Sequence, residues 1–268
     1  MLQTPLFKTN SHGFPWYVLV KYLTYCLLFF NVILFFLEEL TALQHTFSDD
    51  YALSELIQIF SATIDTGFWF FLLILFELET SYSPNNRNKS AFYILRGICY
   101  LVICYAFMGY YFELLTLYDT KPLSKLSLCS SPDDWSILVD IDEYILLQSI
   151  DCQSLAEPLY RVSDFQIGVT SKILVSVQNL AWIDVINSAA WILIVVVLEL
   201  EVALFSKRDF SKKFRHIILA FKFILYLILF LAAIYWGIAG DFLDFWDAVL
   251  WLFAFVFIEL NVLRWRAP

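Results

Sequence analysis

Long apolar stretches alternate with short polar ones along almost the whole chain. Six of the apolar stretches are long enough for a helix to cross a hydrocarbon core of roughly 30 Å, which takes about 20 residues. No proline falls inside these six stretches, so we expect mostly continuous helices. The pattern predicts an all-α polytopic membrane protein with six transmembrane helices, arranged as three helical hairpins.

The apolar stretches divide the chain into consecutive segments. The first and last hairpins each hold two spans, and the middle hairpin is interrupted by the one long connection. The predicted segments are a tail (1–14), hairpin 1 (15–80), a third span (90–118), an acidic loop domain (119–175), a fourth span (180–206), a basic loop (207–215) and hairpin 3 (216–268).

The basic residues predict the orientation. Of the 17 Lys and Arg residues, 13 fall in or beside the N-terminal tail, the 81–96 turn, the 207–222 region and the C-terminal end. The other four lie in 119–175, together with nine acids. Because short loops rich in Lys and Arg stay in the cytoplasm, both termini are predicted to be cytoplasmic and the acidic loop to face outward.

Three of the predicted helices share a polar pattern. Trp69, Trp191 and Trp251 each stand eight residues before a glutamate and four residues after an Asp or Asn. An internal repeat of this kind predicts repeated structural units. Its candidate ion-path residues are Asp65, Asn187, Asp247, Glu77, Glu79, Glu199, Glu201 and Glu259.

The helix that precedes each of these three carries a second pattern. Lys21, Arg96 and Lys222 are each followed by a tyrosine four residues later and by an aromatic residue fourteen residues later. A charge inside a membrane is costly and needs a partner, and depth along the helices matches these bases to the glutamates. The predicted ion pairs are Glu77–Arg96, Glu199–Lys222 and, if the hairpins close into a ring, Glu259–Lys21. They serve either to fix helix register or as a gate or relay for an ion; the alternative is that these charged side chains extend to the lipid interface.

The acidic loop carries two further predictions. Its segment 131–149 reads as a capped amphipathic helix, with Trp135, Leu138, Ile141 and Ile145 on one face. Cys129 and Cys152 both fall on the predicted oxidising side, which makes them candidates for a disulfide bond.

Composition excludes several kinds of chemistry. The chain is 60% hydrophobic and 16% charged, whereas soluble domains have about 25% charged residues. The sequence lacks the motifs of zinc proteases, α/β-hydrolases and nucleotide-binding loops, and none of its three histidines lies at mid-span. We therefore expect no enzyme activity, no cofactor, no metal centre and no nucleic-acid partner.

Three two-helix repeats with charged pairs at one face make a plan that is similar to that of the mitochondrial carriers. The resemblance covers the plan alone. The P-x-[DE]-x-x-[KR] signature that kinks the odd helices of those carriers is absent here, and the corresponding helices contain no proline.

Two functions remain open from the sequence. Recurring intramembrane carboxylates favour a conduit for a small ion, with a cation favoured by the acidic outer face. The alternative is a non-catalytic scaffold or sensor subunit that recognises a partner through its outer loop. Either protein lies in a lipid bilayer, for which composition favours a bacterial inner membrane, as a homo-oligomer or with other membrane subunits.

Overall fold

The computed structural model of the chain describes residues 16–46, 59–81, 86–130, 135–140, 143–147, 154–155, 158–205 and 212–266. This part of the chain is mostly helical. Its helices are α1 (Trp16–Thr46), α2 (Ser61–Ser81), α3 (Asn86–Tyr118), α4 (Lys125–Ser130), α5 (Ser171–Phe205), α6 (Lys212–Ala239) and α7 (Phe242–Arg266).

The long helices form a closed ring. Each one packs against the next long helix along the chain, and α1 packs against α7 to complete the circle. Connections of only a few residues join most successive long helices, so these helices run in opposite directions. The buried centre of the ring is apolar and includes Leu28, Leu73, Ile103, Ile194 and Ala254.

The outer surface of the ring is also apolar. Large side chains such as Leu101 on α3 and Phe223 on α6 are exposed, where a soluble protein would carry polar ones. In the described residues, five helices are long and apolar enough to cross a membrane: Val18–Leu43, Ser61–Glu79, Ser90–Tyr118, Ser171–Glu201 and Lys213–Ala239. The chain is therefore a multi-pass membrane protein.

A five-stranded sheet stands over one end of the ring, between α3 and α5 in the chain. Its strands are β1 (Thr120–Leu123), β2 (Ser136–Asp140), β3 (Glu143–Leu146), β4 (Leu159–Val162) and β5 (Ile167–Thr170). The order across the sheet is β1-β4-β5-β2-β3, and the neighbouring pairs are antiparallel except for the parallel pair β2–β5. We call this end of the ring the sheet end and the opposite end the ion-pair end.

The amphipathic helix predicted over 131–149 is wrong. The described residues of that segment form β2 and β3 instead. Ser136, Ile137 and Leu138 are all buried, because Leu138 packs towards α5 while Ile137 packs towards α4 on the other face. A strand covered on both faces is apolar throughout and lacks the alternation that would have identified it.

Cys129, at the end of α4, is disulfide-bonded, and Cys26, Cys99 and Cys104 are free thiols. The predicted partner, Cys152, lies outside the described residues, so the pairing stays a prediction.

We expect Cys129→Ser to lower the free energy of unfolding of the sheet by about 3 kcal/mol. A disulfide between Cys129 and Cys152 would close a loop of 24 residues, and closing a loop of this length lowers the entropy of the unfolded chain by that amount. Protease protection of the sheet in the purified protein measures the loss. Cys26→Ser, which removes an exposed free thiol on α1, is the matched control. Equal protection of the two variants would contradict the stabilising role, and a non-reduced peptide map reads out the pairing itself.

Candidate functional site

Three basic side chains lie at the ion-pair end, each against a glutamate of a neighbouring helix. Lys21 on α1 donates to Glu77 on α2. Lys222 on α6 lies 3.2 Å from Glu201 on α5. Both lysine side chains are about 10% exposed, so these are inward-facing pairs rather than surface contacts.

Arg96 on α3 bridges two helices. Its Nη1 donates to Glu79 Oε2 on α2 at 3.2 Å, and its Nη2 pairs with Glu199 on α5. Tyr100, one turn along α3, donates its hydroxyl to Glu199 Oε1 at 2.7 Å. The planar fork of arginine suits contact with two carboxylates at once.

The predicted pairs Glu77–Arg96 and Glu199–Lys222 are wrong, although the bases and the acids do meet. Two glutamates that are two residues apart on a helix point about 200° apart, so they face different neighbours. Glu77 faces α1 while Glu79 faces α3. Lys21 pairs with Glu77, and the side chain of its predicted partner, Glu259, lies outside the described residues.

Three tryptophans meet at the centre of the ring, about two turns from the ion pairs. Trp69 on α2, Trp191 on α5 and Trp251 on α7 have ring centroids 6.4 Å apart in each of the three pairs, with interplanar angles of 54–66°. Tilted and edge-to-face arrangements of this kind are favourable for aromatic rings. All three are buried. We call this cluster the Trp layer.

A cavity of about 200 Å³ opens above the Trp layer, towards the sheet end. The Trp layer lines its floor, the helix ends form its walls, and Leu138, Phe165 and Ile167 of the sheet contribute to its roof. Among the described lining residues none is Lys, Arg or His, and eight are acids: Glu38, Glu39, Asp65, Glu113, Asp184, Asp241, Asp244 and Asp247. The described wall of this cavity is therefore rich in acidic groups and carries no basic side chain.

Two of these acids cap helices. Glu39 accepts hydrogen bonds from the backbone N–H groups of Ala62 and Thr63 at 2.8 and 3.2 Å, in the first turn of α2. Asp241 accepts one from the N–H of Asp244 at 3.2 Å and caps α7. Gly240, with φ of 101°, ends α6 in the left-handed conformation that makes this tight turn possible. Carboxylates are stabilised at helix N-termini by the helix dipole.

Two further acids accept hydrogen bonds from side chains. Trp236 donates its Nε1–H to Asp184 Oδ1 at 3.2 Å. Asn31 on α1 donates its amide to Asp247 Oδ1 on α7 at 3.0 Å, across the place where the ring closes. These bonds hold the acids in position while leaving them on the cavity wall.

Several buried polar atoms on the cavity wall have no hydrogen-bond partner among the described residues. They are Asp65 Oδ1, Trp69 Nε1, Asn187 Oδ1 and Ser188 Oγ. Asp65 is 8% exposed and Ser188 is 2% exposed. Buried polar atoms in proteins are nearly always paired, so these atoms mark where a ligand or solvent molecule would be held.

The structure brings three of the sequence-predicted residues, Asp65, Asn187 and Asp247, into this one cavity. It places Glu77, Glu79, Glu199 and Glu201 at the other end, in ion pairs. The predicted ion-path residues therefore form two separate layers with the apolar core of the ring between them.

Sequence reasoning missed the acids of α1 and α3. Glu38 and Glu113 each lie 17 residues after the base of their helix, Lys21 or Arg96, and the equivalent residue after Lys222 is Ala239. Extending the pattern that starts at Lys21 and Arg96 by one helical turn, from position +14 to position +17, would have identified Glu38 and Glu113.

A metal centre finds no support here. In the described part of the chain no three His, Cys, Asp or Glu side chains are placed to hold a metal ion. The acids are spread around the cavity wall, and two of them are engaged as helix caps.

An exposed pair on the sheet lies apart from the cavity. Lys121 Nζ lies 2.7 Å from Asp164 Oδ1, and this hydrogen bond holds the pKa of the Asp164 carboxyl below its usual range and that of Lys121 above it. Because both side chains are largely exposed, the pair contributes little to stability. Asp164 is therefore a useful control for the cavity acids.

Fold and site together define a helical multi-pass membrane protein with an acidic cavity at one end. No protein-family model, no curated protein and no solved structure matches the chain. Its function is therefore inferred from the site itself.

Proposed function

We propose that this protein binds a small cation in the acidic cavity and conducts it through the centre of the helix ring. One observation carries the proposal: eight acids and no base among the described residues that line the cavity. A cavity lined by one sign of charge, with low-dielectric walls, raises the local concentration of the opposite ion.

The proposal includes the membrane orientation. The sixth long helix, α7, has 25 residues and a length of about 37 Å, enough to span a membrane with the other five. With six spans in three hairpins and both termini in the cytoplasm, the sheet end faces outward. The cavity then receives its cation from outside the cell, and composition favours a bacterial inner membrane.

The Trp layer acts as the gate in this proposal. Below it the ring is filled by Leu72, Leu73, Ile194 and Ala254, all of which are buried. Apolar constrictions stop ions because the pore loses water there. The conformation described is therefore a closed one, and conduction requires the three indoles to separate.

The ion pairs at the opposite end hold the helices together in this mechanism. Each base joins neighbouring helices, and Arg96 joins α3 to both α2 and α5. Asp65, Asn187 and Asp247 are the proposed path residues, while Glu77, Glu79, Glu199 and Glu201 fix the register of the helices.

Cation flux into proteoliposomes that contain the purified protein tests the proposal. We expect flux of K⁺, Na⁺ or a small ammonium ion, and about tenfold less in Asp65→Asn/Asp247→Asn, since each ~1.4 kcal/mol added to a barrier slows a rate tenfold. Asp164→Asn removes an acid at the same end without touching the cavity and should conduct like the wild type. Absence of wild-type flux at every voltage, pH and Ca²⁺ concentration would overturn conduction.

A non-catalytic sensor is the second candidate function. The direct packing of the sheet over the cavity favours it, because a cation bound beneath Phe165 and Ile167 would alter the surface offered to a partner. Cation-dependent protease protection of the sheet, without flux, is the result that distinguishes a sensor from a conduit.

A further inference from the structure

We propose that the cation is a small primary or secondary ammonium ion, held with its N–H groups against Asp65 and Asn187 and its carbon skeleton against the surrounding aromatic rings. The inference rests on the proposed cation binding and names the chemical class of the ligand. It does not depend on conduction.

The cavity wall combines acids with aromatic faces. Nine of the described lining residues are Phe, Tyr or Trp, one more than the eight that carry carboxyl groups. Trp69, Trp191 and Trp251 close the floor, and Tyr110 and Trp236 lie on the walls. Alkylammonium groups are attracted to such faces through the ring quadrupole, most strongly to tryptophan and where water is excluded.

The unpaired acceptors specify a ligand that donates hydrogen bonds. Asp65 Oδ1 and Asn187 Oδ1 are buried and accept no hydrogen bond from the described residues, although Trp69 and Tyr110 lie beside the Asp65 carboxyl group. A primary or secondary ammonium ion supplies at least two N–H donors, and a charged donor against a carboxylate makes a strong hydrogen bond. A quaternary ammonium ion has no N–H and would leave both acceptors unpaired.

Other cations fit the wall less well. Ca²⁺ requires six to eight oxygen ligands and Mg²⁺ an octahedral set, whereas no group of three metal-ligating side chains converges in the described chain. K⁺ and Na⁺ bind to the same oxygen atoms but require several further oxygen ligands around them. Much of the wall offers them aromatic carbon.

The charge of the wall sets a second limit on the ligand. An amino acid carries an ammonium group and a carboxylate, and its carboxylate needs a base or a cluster of donors. None of the described lining residues is basic, so zwitterions and anions should be rejected. The volume of about 200 Å³ is far above the ~10–15 Å³ that holds one water, and it accommodates a small organic ion.

Tryptophan fluorescence of the full-length purified protein tests the inference, since three indoles form the floor of the site. The probes are propylammonium, tetramethylammonium, K⁺ and β-alanine at constant ionic strength. We expect propylammonium to bind at least about tenfold more tightly than tetramethylammonium or K⁺, and β-alanine to give no saturable signal. Equal affinity for tetramethylammonium or K⁺, or no binding of propylammonium, would overturn the inference.

Two variants place the binding in the cavity. Asp65→Asn should weaken propylammonium binding at least about tenfold, because it removes the charge and one acceptor. Asp164→Asn should leave binding unchanged, and a loss in both variants would contradict the location. The affinities of the four probes are compared in the wild-type protein, so this comparison remains valid even if Asp65→Asn fails to fold.

Failure of this inference and failure of conduction give different results. K⁺ flux without propylammonium binding would overturn the inference and leave conduction standing. Propylammonium binding without flux of any cation would support the inference and overturn conduction in favour of a sensor.

Discussion

Replacing Arg96 by methionine is expected to lower the free energy of unfolding by about 3 kcal/mol, the low end of the range for breaking a buried ion pair. Without the guanidinium, Glu79 and Glu199 face each other across α3 with no counter-charge from that helix. The low end applies because Glu79 is 30% exposed and Glu199 39% exposed. Methionine keeps an apolar stem beside Phe76, whose ring centroid lies 5.2 Å from the guanidinium carbon, so lost packing adds little.

Thermal unfolding in lipid nanodiscs, followed by intrinsic fluorescence, measures this loss. Arg96→Lys should give an intermediate value, since one ammonium group cannot donate to both carboxylates in the geometry of the fork. The triple variant Arg96→Met/Glu79→Gln/Glu199→Gln should recover most of the stability because it removes the unpaired charges as well. If Arg96→Met were as stable as the wild type, the bridge would have no structural role.

Replacing Trp191 by alanine is expected to have the largest effect on conduction. Trp191 contacts both other indoles of the Trp layer and lies 4.5 Å, centroid to centroid, from Phe255. Its removal leaves a void that joins the acidic cavity to the core below. We expect passive cation flux to rise at least about tenfold, for a barrier lowered by about 1.4 kcal/mol, and the free energy of unfolding to fall by about 3–5 kcal/mol.

Trp191→Phe is the control for this experiment, since it keeps an aromatic ring at the centre and should stay close to the wild type in flux. Trp182→Ala removes an indole of the same helix that lies outside the Trp layer and donates a hydrogen bond to the Tyr118 hydroxyl. It should leave the flux unchanged and lower the free energy of unfolding far less than Trp191→Ala. A folded Trp191→Ala protein without increased flux would show that the Trp layer is not the barrier. Trp191→Leu serves in its place if the alanine variant does not fold.

The sequence was sufficient to predict the long helices and the positions of the charged and tryptophan layers along them. These features depend on spacing within a single helix, where 1.5 Å per residue converts sequence distance into depth. The partners of Arg96 and Lys222 were not predictable in the same way, because they depend on which side of a helix faces which neighbour. The rotation of each helix depends on its packing against neighbours in the ring, including the contact of α1 with α7, which joins residues far apart in the chain.

The sheet was not predicted from the sequence, for a different reason. Apolar strands of four or five residues that are covered on both faces carry too little periodicity to distinguish them from a helix. Only part of the cavity lining was predicted, because only some of its acids belong to the sequence repeat. Asp65 and Asp247 stood out through the repeat, whereas Glu39 and Asp184 are recognised only by what they contact.

The hydrogen bond from Asn31 to Asp247 has a consequence for biogenesis. It links the first long helix to the last, so Asn31, although fully buried in the finished ring, has no acceptor at this position until α7 has been synthesised. Lys21 already has Glu77 on α2 by then, so the first two helices are stabilised early while a polar amide stays exposed to lipid. Chains truncated before α7 should therefore insert but remain targets for membrane quality-control proteases.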